Sequence, residues 1–231
     1  MKFFAHSIEE QDQSKWHLLY NHLYETGKLA ADNASYFDGQ SMAKIAGRLH
    51  DLGKYTSDFQ NKLLGYSLKV DHSTHGAQVA TNYYGNMGRL LAYGIAGHHA
   101  GLANGRDRGT RSPLTERLDK KLPKLETEWQ QEIEIQKPIF PPYFVINQEQ
   151  KYFQLSFLGR MLFSSIVDAD FRDTEDFFYK AKGNNIERKN FPKLEKLRDK
   201  LDKTLSQFQS DTELKKIRKQ ILEHARQKAS N

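Results

Sequence analysis

The sequence predicts an all-α protein, and three observations carry that prediction. Apolar residues recur at helical spacing through most of the 231 residues. Strand signals are weak throughout, with Tyr143–Ile146 the one candidate. A negative mean hydropathy fits long helices with solvated faces. A chain of this length forms one large domain or two small ones and can bury a core without staples. It has no cysteine, which excludes disulfides and thiolate metal sites and is compatible with a reducing compartment. The start, Met1 to His6, lacks the apolar stretch of a signal peptide, and no run is long enough to span a bilayer. A soluble cytoplasmic protein with no membrane partner is expected.

The elements follow in order. Gln11 to about Ala34 reads as a helix, with Trp16, Leu19, Leu23 and Ala30 on one stripe and Leu18, His22 and Leu29 on its shoulder. Ser41 is the expected N-cap of a second helix, in which Met42, Ile45, Ala46 and Leu49 keep helical spacing. That helix delivers His50 and Asp51 at its C-terminal end, where Gly53 is expected to be the stop. Thr56 to Leu64 reads as a short helix. Ser73 or Thr74 is expected to cap another that runs to about Tyr84, and Gly88 to His98 forms a closely packed one rich in small residues. The composition between Ala103 and Pro123 predicts a loop, Leu122 to Gln136 a helix, and the prolines from Pro138 to Pro142 its end. Glu149 to Phe171 is a strong helix whose Phe153, Phe157, Leu158, Leu162, Ile166 and Ala169 are spaced for burial. Two basic helices follow, near Pro192–Phe208 and Asp211–Lys228.

The net charge of +6 is unevenly placed. From Lys182 onward there are fourteen Lys and Arg against seven Asp and Glu, a net of +7, so the first 181 residues sit at −1. A basic tail on a neutral body can contact phosphates, although a solvated helix face explains any single lysine equally well.

The chemistry centres on Leu49-His50-Asp51-Leu52-Gly53-Lys54. Neighbouring helical residues point about 100° apart, yet both can serve one site if it holds two ions roughly 3.5–4 Å apart. The aspartate, with two oxygens, is the natural bridge. Candidate ligands are His22, His50, Asp51, His72, His98, His99 and one of Asp168 or Asp170. Asp170 is preferred because it falls four residues after Ile166 on the inward stripe. Imidazoles mixed with carboxylates suit Mn, Fe, Co, Ni or Zn, and Mg is compatible with the oxygens. A lone His22 is more often a packed core histidine; together the residues make a purely structural explanation a poor one. His6, His17, His75 and His224 read as ordinary polar residues, with His75 close enough to His72 to merit a mutant.

The combination resembles the HD phosphohydrolases, and more narrowly the HD nuclease of the type I CRISPR-associated nuclease-helicase. The matching stretches are Ala5-His6-Ser7, Trp16 through Leu23, Gly47 through Tyr55, Asp58-Phe59-Gln60, Asp71 through Ala77, Ile95 through Leu102, and Arg160 through Glu175. They span about residues 3 to 180. The resemblance implies an all-α HD bundle with a dinuclear centre that cuts single-stranded DNA endo- and exonucleolytically in CRISPR interference. It implies one ion on His22, His50, Asp51 and the late aspartate, and another on Asp51, His72, His98 and His99. Lys54 would stand near the scissile phosphate and stabilise its charge. A single HD nuclease domain over 1–231 is expected, with a core over about 1–180 and basic helices over 181–231. Those helices would lead toward a helicase, since the chain stops about where one would begin and contains no G-x-x-x-x-G-K-[ST] phosphate loop. The expected partners are single-stranded DNA, a helicase domain or subunit, and a Cascade-type CRISPR surveillance complex. Two other readings remain open: hydrolysis of nucleotides or cyclic dinucleotides, and a recruitment module whose contacts matter more than its chemistry.

Overall fold

A computed structural model describes residues 2–9, 12–107, 109, 112–186, 191–209 and 211–229. The chain divides into two units, Met1–Asn185 and Ile186–Asn231. The first opens with a two-stranded antiparallel ribbon, β1 (Phe4–His6) and β2 (His17–Leu18), pairing Phe4 with Leu18. The helix expected from Gln11, a residue outside those described, begins only at Leu19. A turn over Gln13–Lys15 intervenes, capped by Asp12, whose carboxylate accepts from Ser14 N. Trp16 leaves helical geometry to pack edge-on against Phe4, with ring centroids 5.4 Å apart.

Helix α1 (Leu19–Ala34) then packs on α2 (Gln40–Leu49), and Gly47 against Gly27 lets the two backbones approach closely. Ser41 lies inside α2 rather than capping it, and its hydroxyl accepts from Ile139 N. Thr56 caps α3 (Ser57–Leu63), accepting from Phe59 N.

The two helices expected on either side of Tyr84 are the arms of one element, α4 (Ser73–Gly97), broken at Gly85 (φ 56°, ψ −126°). In a straight helix Gly88 and Ala80 would stand about 12 Å apart. Here a Cβ on Gly88 would lie 1.8 Å from Ala80 O, so the chain doubles back. Gly85 supplies a backbone conformation that a residue with a Cβ rarely adopts. Neither Ser73 nor Thr74 caps the first arm. Asp71 does that work, accepting from Thr74 N and Oγ1.

The expected loop contains α5 (Leu114–Leu118), whose Leu114 is buried. The helix expected over Leu122–Gln136 shrinks to α6 (Trp129–Glu132) because the preceding backbone is used elsewhere. Pro123 O accepts from His75 Nε2 and Glu126 N donates to Tyr55 O. Tyr143–Ile146 forms no strand; Phe144 N closes a turn on Pro141 O. The long α7 (Lys151–Ala181) buries Leu158, Leu162, Ile166 and Ala169 against α1, α2 and α4. Its first buried position is Leu158, so Phe153 and Phe157 stay 72% and 56% exposed, against expectation.

The second unit holds α8 (Leu194–Ser206) and α9 (Glu213–Ala229), joined by an ion pair between Arg226 and Asp202. Neither helix buries a residue, and Leu194, Leu197, Leu201, Leu214, Ile217 and Ile221 are all exposed. Among the described residues no helix is long and apolar enough to cross a membrane.

Candidate metal centre

Four helices deliver the candidate ligands to one point. His22 comes from the inner face of α1, where its side chain is wholly buried. His50 and Asp51 extend from the end of α2, at 0% and 1% exposure. His72 precedes α4 and His98-His99 follows it. The reversal at Gly85 brings these two ends together, with His72 and His98 rings 6.1 Å apart and His72 and His99 rings 5.0 Å apart. Asp170 comes from α7. Asp168, two residues earlier, faces elsewhere: its carboxylate accepts from Asn33 Nδ2 at 2.8 Å and ties α7 to α1.

The ligand atoms form two sets around Asp51. Its Oδ2 lies 3.3 Å from His22 Nε2 and 3.4 Å from His50 Nε2, and Asp170 Oδ1 is 3.5 Å from both nitrogens. Its Oδ1 lies 3.2 Å from His98 Nε2 and 3.5 Å from His72 Nε2, and His99 joins that set. Within each set, one atom per residue lies within 4.8 Å of the others.

Among the described residues, His22 Nε2, His50 Nε2, His98 Nε2, both nitrogens of His72 and Asp51 Oδ1 are buried without a hydrogen-bond partner, and Asp51 Oδ2 is met by the Lys54 ammonium. Buried polar atoms are normally paired, so this concentration of orphans is what a metal-binding cluster leaves when considered as protein alone. The tautomers agree. His50 Nδ1 donates to Gly47 O and His98 Nδ1 to Ile95 O, each at 2.7 Å, and His22 Nδ1 lies 2.6 Å from Asp173 Oδ2. Carbonyl and carboxylate oxygens only accept, so each Nδ1 carries a proton and each Nε2 is left as the ring nitrogen that faces Asp51.

The electrostatics are those of a site held together by opposite charges. Burial pushes the Asp51 pKa up, but Lys54, His50 and His72 outweigh it and hold the carboxyl well below its usual value. For His50, burial is outweighed by the Asp51 and Asp170 carboxylates, which raise its pKa to about 10. His72 goes the other way, down to about 4, through burial and the nearby Lys54, His98 and His99. Burial and His98 likewise lower His99. An ion entering between His50 and the carboxylates therefore competes with a proton, whereas His72 and His99 offer neutral nitrogens.

Lys54 sits inside the centre rather than on an open rim. It is 3% exposed, with Nζ 2.6 Å from Asp51 Oδ2, a donor to Ala5 O at 3.2 Å, and 5.3 Å from the Phe59 ring centroid. Gly53, expected as a helix stop, has no positive φ. Its role is contact: Gly53 N donates to His72 O at 2.9 Å, and a Cβ would lie 2.4 Å from that oxygen. His75, the neighbour of His72 on α4, is turned away, its Nε2 donating to Pro123 O at 2.8 Å. His224 lies on α9 in the second unit. Sequence reasoning placed Asp173 in a matching stretch without giving it a role, and it missed the close approach at Gly53. Asp173 falls three residues after Asp170 on the same helix, a spacing that puts both on one face.

A helical scaffold gathers imidazoles and carboxylates from both ends of a helical hairpin around one aspartate, a donor set suited to divalent metals. Residues 19–128 match the HD domain family, whose members bind divalent metals; the match supports the HD superfamily and suggests a metal-dependent phosphohydrolase. The match encloses His22, His50, Asp51, His72, His98 and His99; Asp170 lies beyond it. No curated protein matches the chain.

Proposed function

We propose that this protein is a metal-dependent nuclease that hydrolyses phosphodiester bonds of single-stranded DNA, endo- and exonucleolytically, in CRISPR interference against foreign DNA. The observation that carries the reading is the division of Asp51: each oxygen faces its own set of imidazoles. That is the arrangement a carboxylate needs to bridge two divalent ions. His22, His50, Asp51 and Asp170 would hold one and Asp51, His72, His98 and His99 the other, with Mn, Fe, Co or Ni best suited and Mg or Zn compatible. When bound, the ions supply activated water and neutralise charge on the phosphate.

The chain's own residues do the rest. Asp51 fixes the spacing of the two sets. His22, His50 and His98 keep their Nε2 atoms aimed inward through their Nδ1–H bonds. Access is from the side of exposed His99, with His72 and Asp170 at 18% and 15% side-chain exposure, while Asp51 stays sealed from bulk water. Lys54 is assigned to the phosphate's developing charge, with its ammonium held beside Asp51.

One observation favours a polymeric substrate over a small nucleotide: the C-terminal unit is basic, as a chain that meets a phosphate backbone or a helicase would be. A helicase domain or subunit and a Cascade-type surveillance complex are the proposed partners. The test is incubation of purified protein with circular single-stranded DNA and Mn, Co or Ni. Metal-dependent cleavage that disappears in Asp51→Ala is the expected result. Intact DNA would refute the reading, and preferential hydrolysis of nucleotides or cyclic dinucleotides would replace it with the small-substrate alternative.

A further inference from the structure

Beside the candidate ligands lies a second gathering of imidazoles. His6, His17 and His22 bring one nitrogen each within 4.8 Å of the others. The contacts around them argue for a supporting layer rather than another ion position. His22 Nδ1 is taken by Asp173, and His6 Nε2 lies 3.2 Å from Thr174 Oγ1. His17 is stacked flat on Phe177, with centroids 4.4 Å apart and planes 10° apart. Asp173 is the hub of this layer. Its Oδ2 accepts from His22 Nδ1 at 2.6 Å and stands 3.6 Å from His17 Nε2, and its side chain is only 11% exposed.

We infer that Asp173 is a positioning residue for one half of the metal centre: it fixes the tautomer and ring orientation of His22. The inference rests on the metal-centre reading above. A carboxylate on the far nitrogen locks the proton there, stops the ring from flipping, and makes Nε2 more basic toward a cation. His50 and His98 obtain the same service from backbone carbonyls of their own helices. His22 sits in the first turn of α1, where the carbonyls are committed to the helix, whereas His50 and His98 follow helix C-termini, where the last carbonyls are free. The partner of His22 therefore comes from another element. The turn of α7 that carries Asp170 also carries Asp173, so one helix provides both a candidate ligand and the support of that ligand's neighbour. His17, held by Phe177, lies beside the same carboxylate and limits its movement. The other set, Asp51, His72, His98 and His99, has no contact with Asp173 among the described residues, so the effect should be one-sided.

The experiment is titration of the metal-free full chain with Co(II), followed by calorimetry and by the visible absorption of the bound ion. Two binding steps are expected for the unaltered protein. Asp173→Ala should weaken one of them by about 10–100-fold, the range for lost outer-shell partners. It should leave the other step and the circular dichroism of the fold unchanged. Asp173→Asn keeps an acceptor oxygen without the charge and should fall between the two, which keeps the inference testable if the alanine variant does not fold. Equal weakening of both steps, or no change in either variant, overturns the assignment of Asp173 while leaving the metal centre standing. A third binding step that vanishes in His6→Ala overturns it as well, since the imidazoles would then be ligands rather than support. Unaltered protein that takes up no ion overturns the centre itself, and the assignment falls with it.

Discussion

Replacing Gly53 with alanine tests whether the backbone contact beside the HD pair sets the geometry of the centre. The added methyl would lie 2.4, 2.5 and 2.7 Å from His72 O, Cα and C. Ordinary contact is about 3.5 Å, so the two segments must part by about 1 Å. No side chain can yield instead, because the obstacle is backbone. Parting them stretches the Gly53 N–H bond to His72 O, worth about 1 kcal/mol, and adds an overpacking cost of about 1–3 kcal/mol. The larger consequence is chemical. His72 moves with its backbone, and a displacement of about 1 Å near a reacting centre can cost on the order of 100-fold in rate. Gly53→Ala should therefore stay folded in urea titrations but lose about 2–4 kcal/mol. It should also weaken the ion facing Asp51 Oδ1, measured by Co(II) or Mn(II) titration, more than the other. A variant with unaltered stability and ion uptake would show that the approach of Gly53 to His72 is incidental.

Other outcomes follow from the same geometry. Asp170→Ala should remove one ion and the DNA cleavage, whereas Asp168→Ala should lose the bond to Asn33, about 1 kcal/mol, and the exposed pair with Arg172, with cleavage intact; the reverse pattern would exchange their roles. Asp51→Asn should abolish ion uptake and, by leaving the buried Lys54 without its counter-charge, destabilise the metal-free chain by about 3–5 kcal/mol in urea melts. The pH profile of the metal-free protein has a worked sign. His17 and His72 fall to about 4 in the fold, against about 6.5 unfolded, so their contribution is complete above pH 6.5 and is lost as pH falls toward 4. His50, raised to about 10, contributes fully below pH 6.5 and loses that stability as pH rises through 10. Stability should therefore peak near neutrality, and melts at pH 5, 7 and 9.5 would contradict this if the acidic sample were the most stable.

The helices were legible where one face meets a continuous core, as in α2 and the stretch of α7 from Leu158 to Ala169. They were misread where a local pattern lost to a distant partner. Trp16 fits the helical stripe of α1 but packs on Phe4, and Phe153 and Phe157 fit the stripe of α7 but precede its first buried position. The segment after Leu122 has helical residues, yet Tyr55 and His75 claim its backbone. The candidate ligands stood out because histidine and aspartate at helix ends are chemically conspicuous. Asp173 did not, since nothing in its neighbourhood of sequence says that it meets His22, 151 residues away. Gly53 was noticed for the wrong reason: its flexibility was plausible, but the fold uses its missing side chain.

The reversal at Gly85 bears on how the chain is tied together. His22, His50, His72, His98 and Asp170 lie far apart in sequence, and each set draws on separate elements. An ion held by such ligands closes several long loops at once, as a cross-link does, and the entropy of loop closure grows only slowly with loop length. In a chain with no cysteine, that clasp takes the place a disulfide would occupy. Chelation should then loosen more than the pocket. Amide exchange should quicken along α1, α2, α4 and α7 together, because the ion binds only the folded arrangement and its loss lowers the stability of all four.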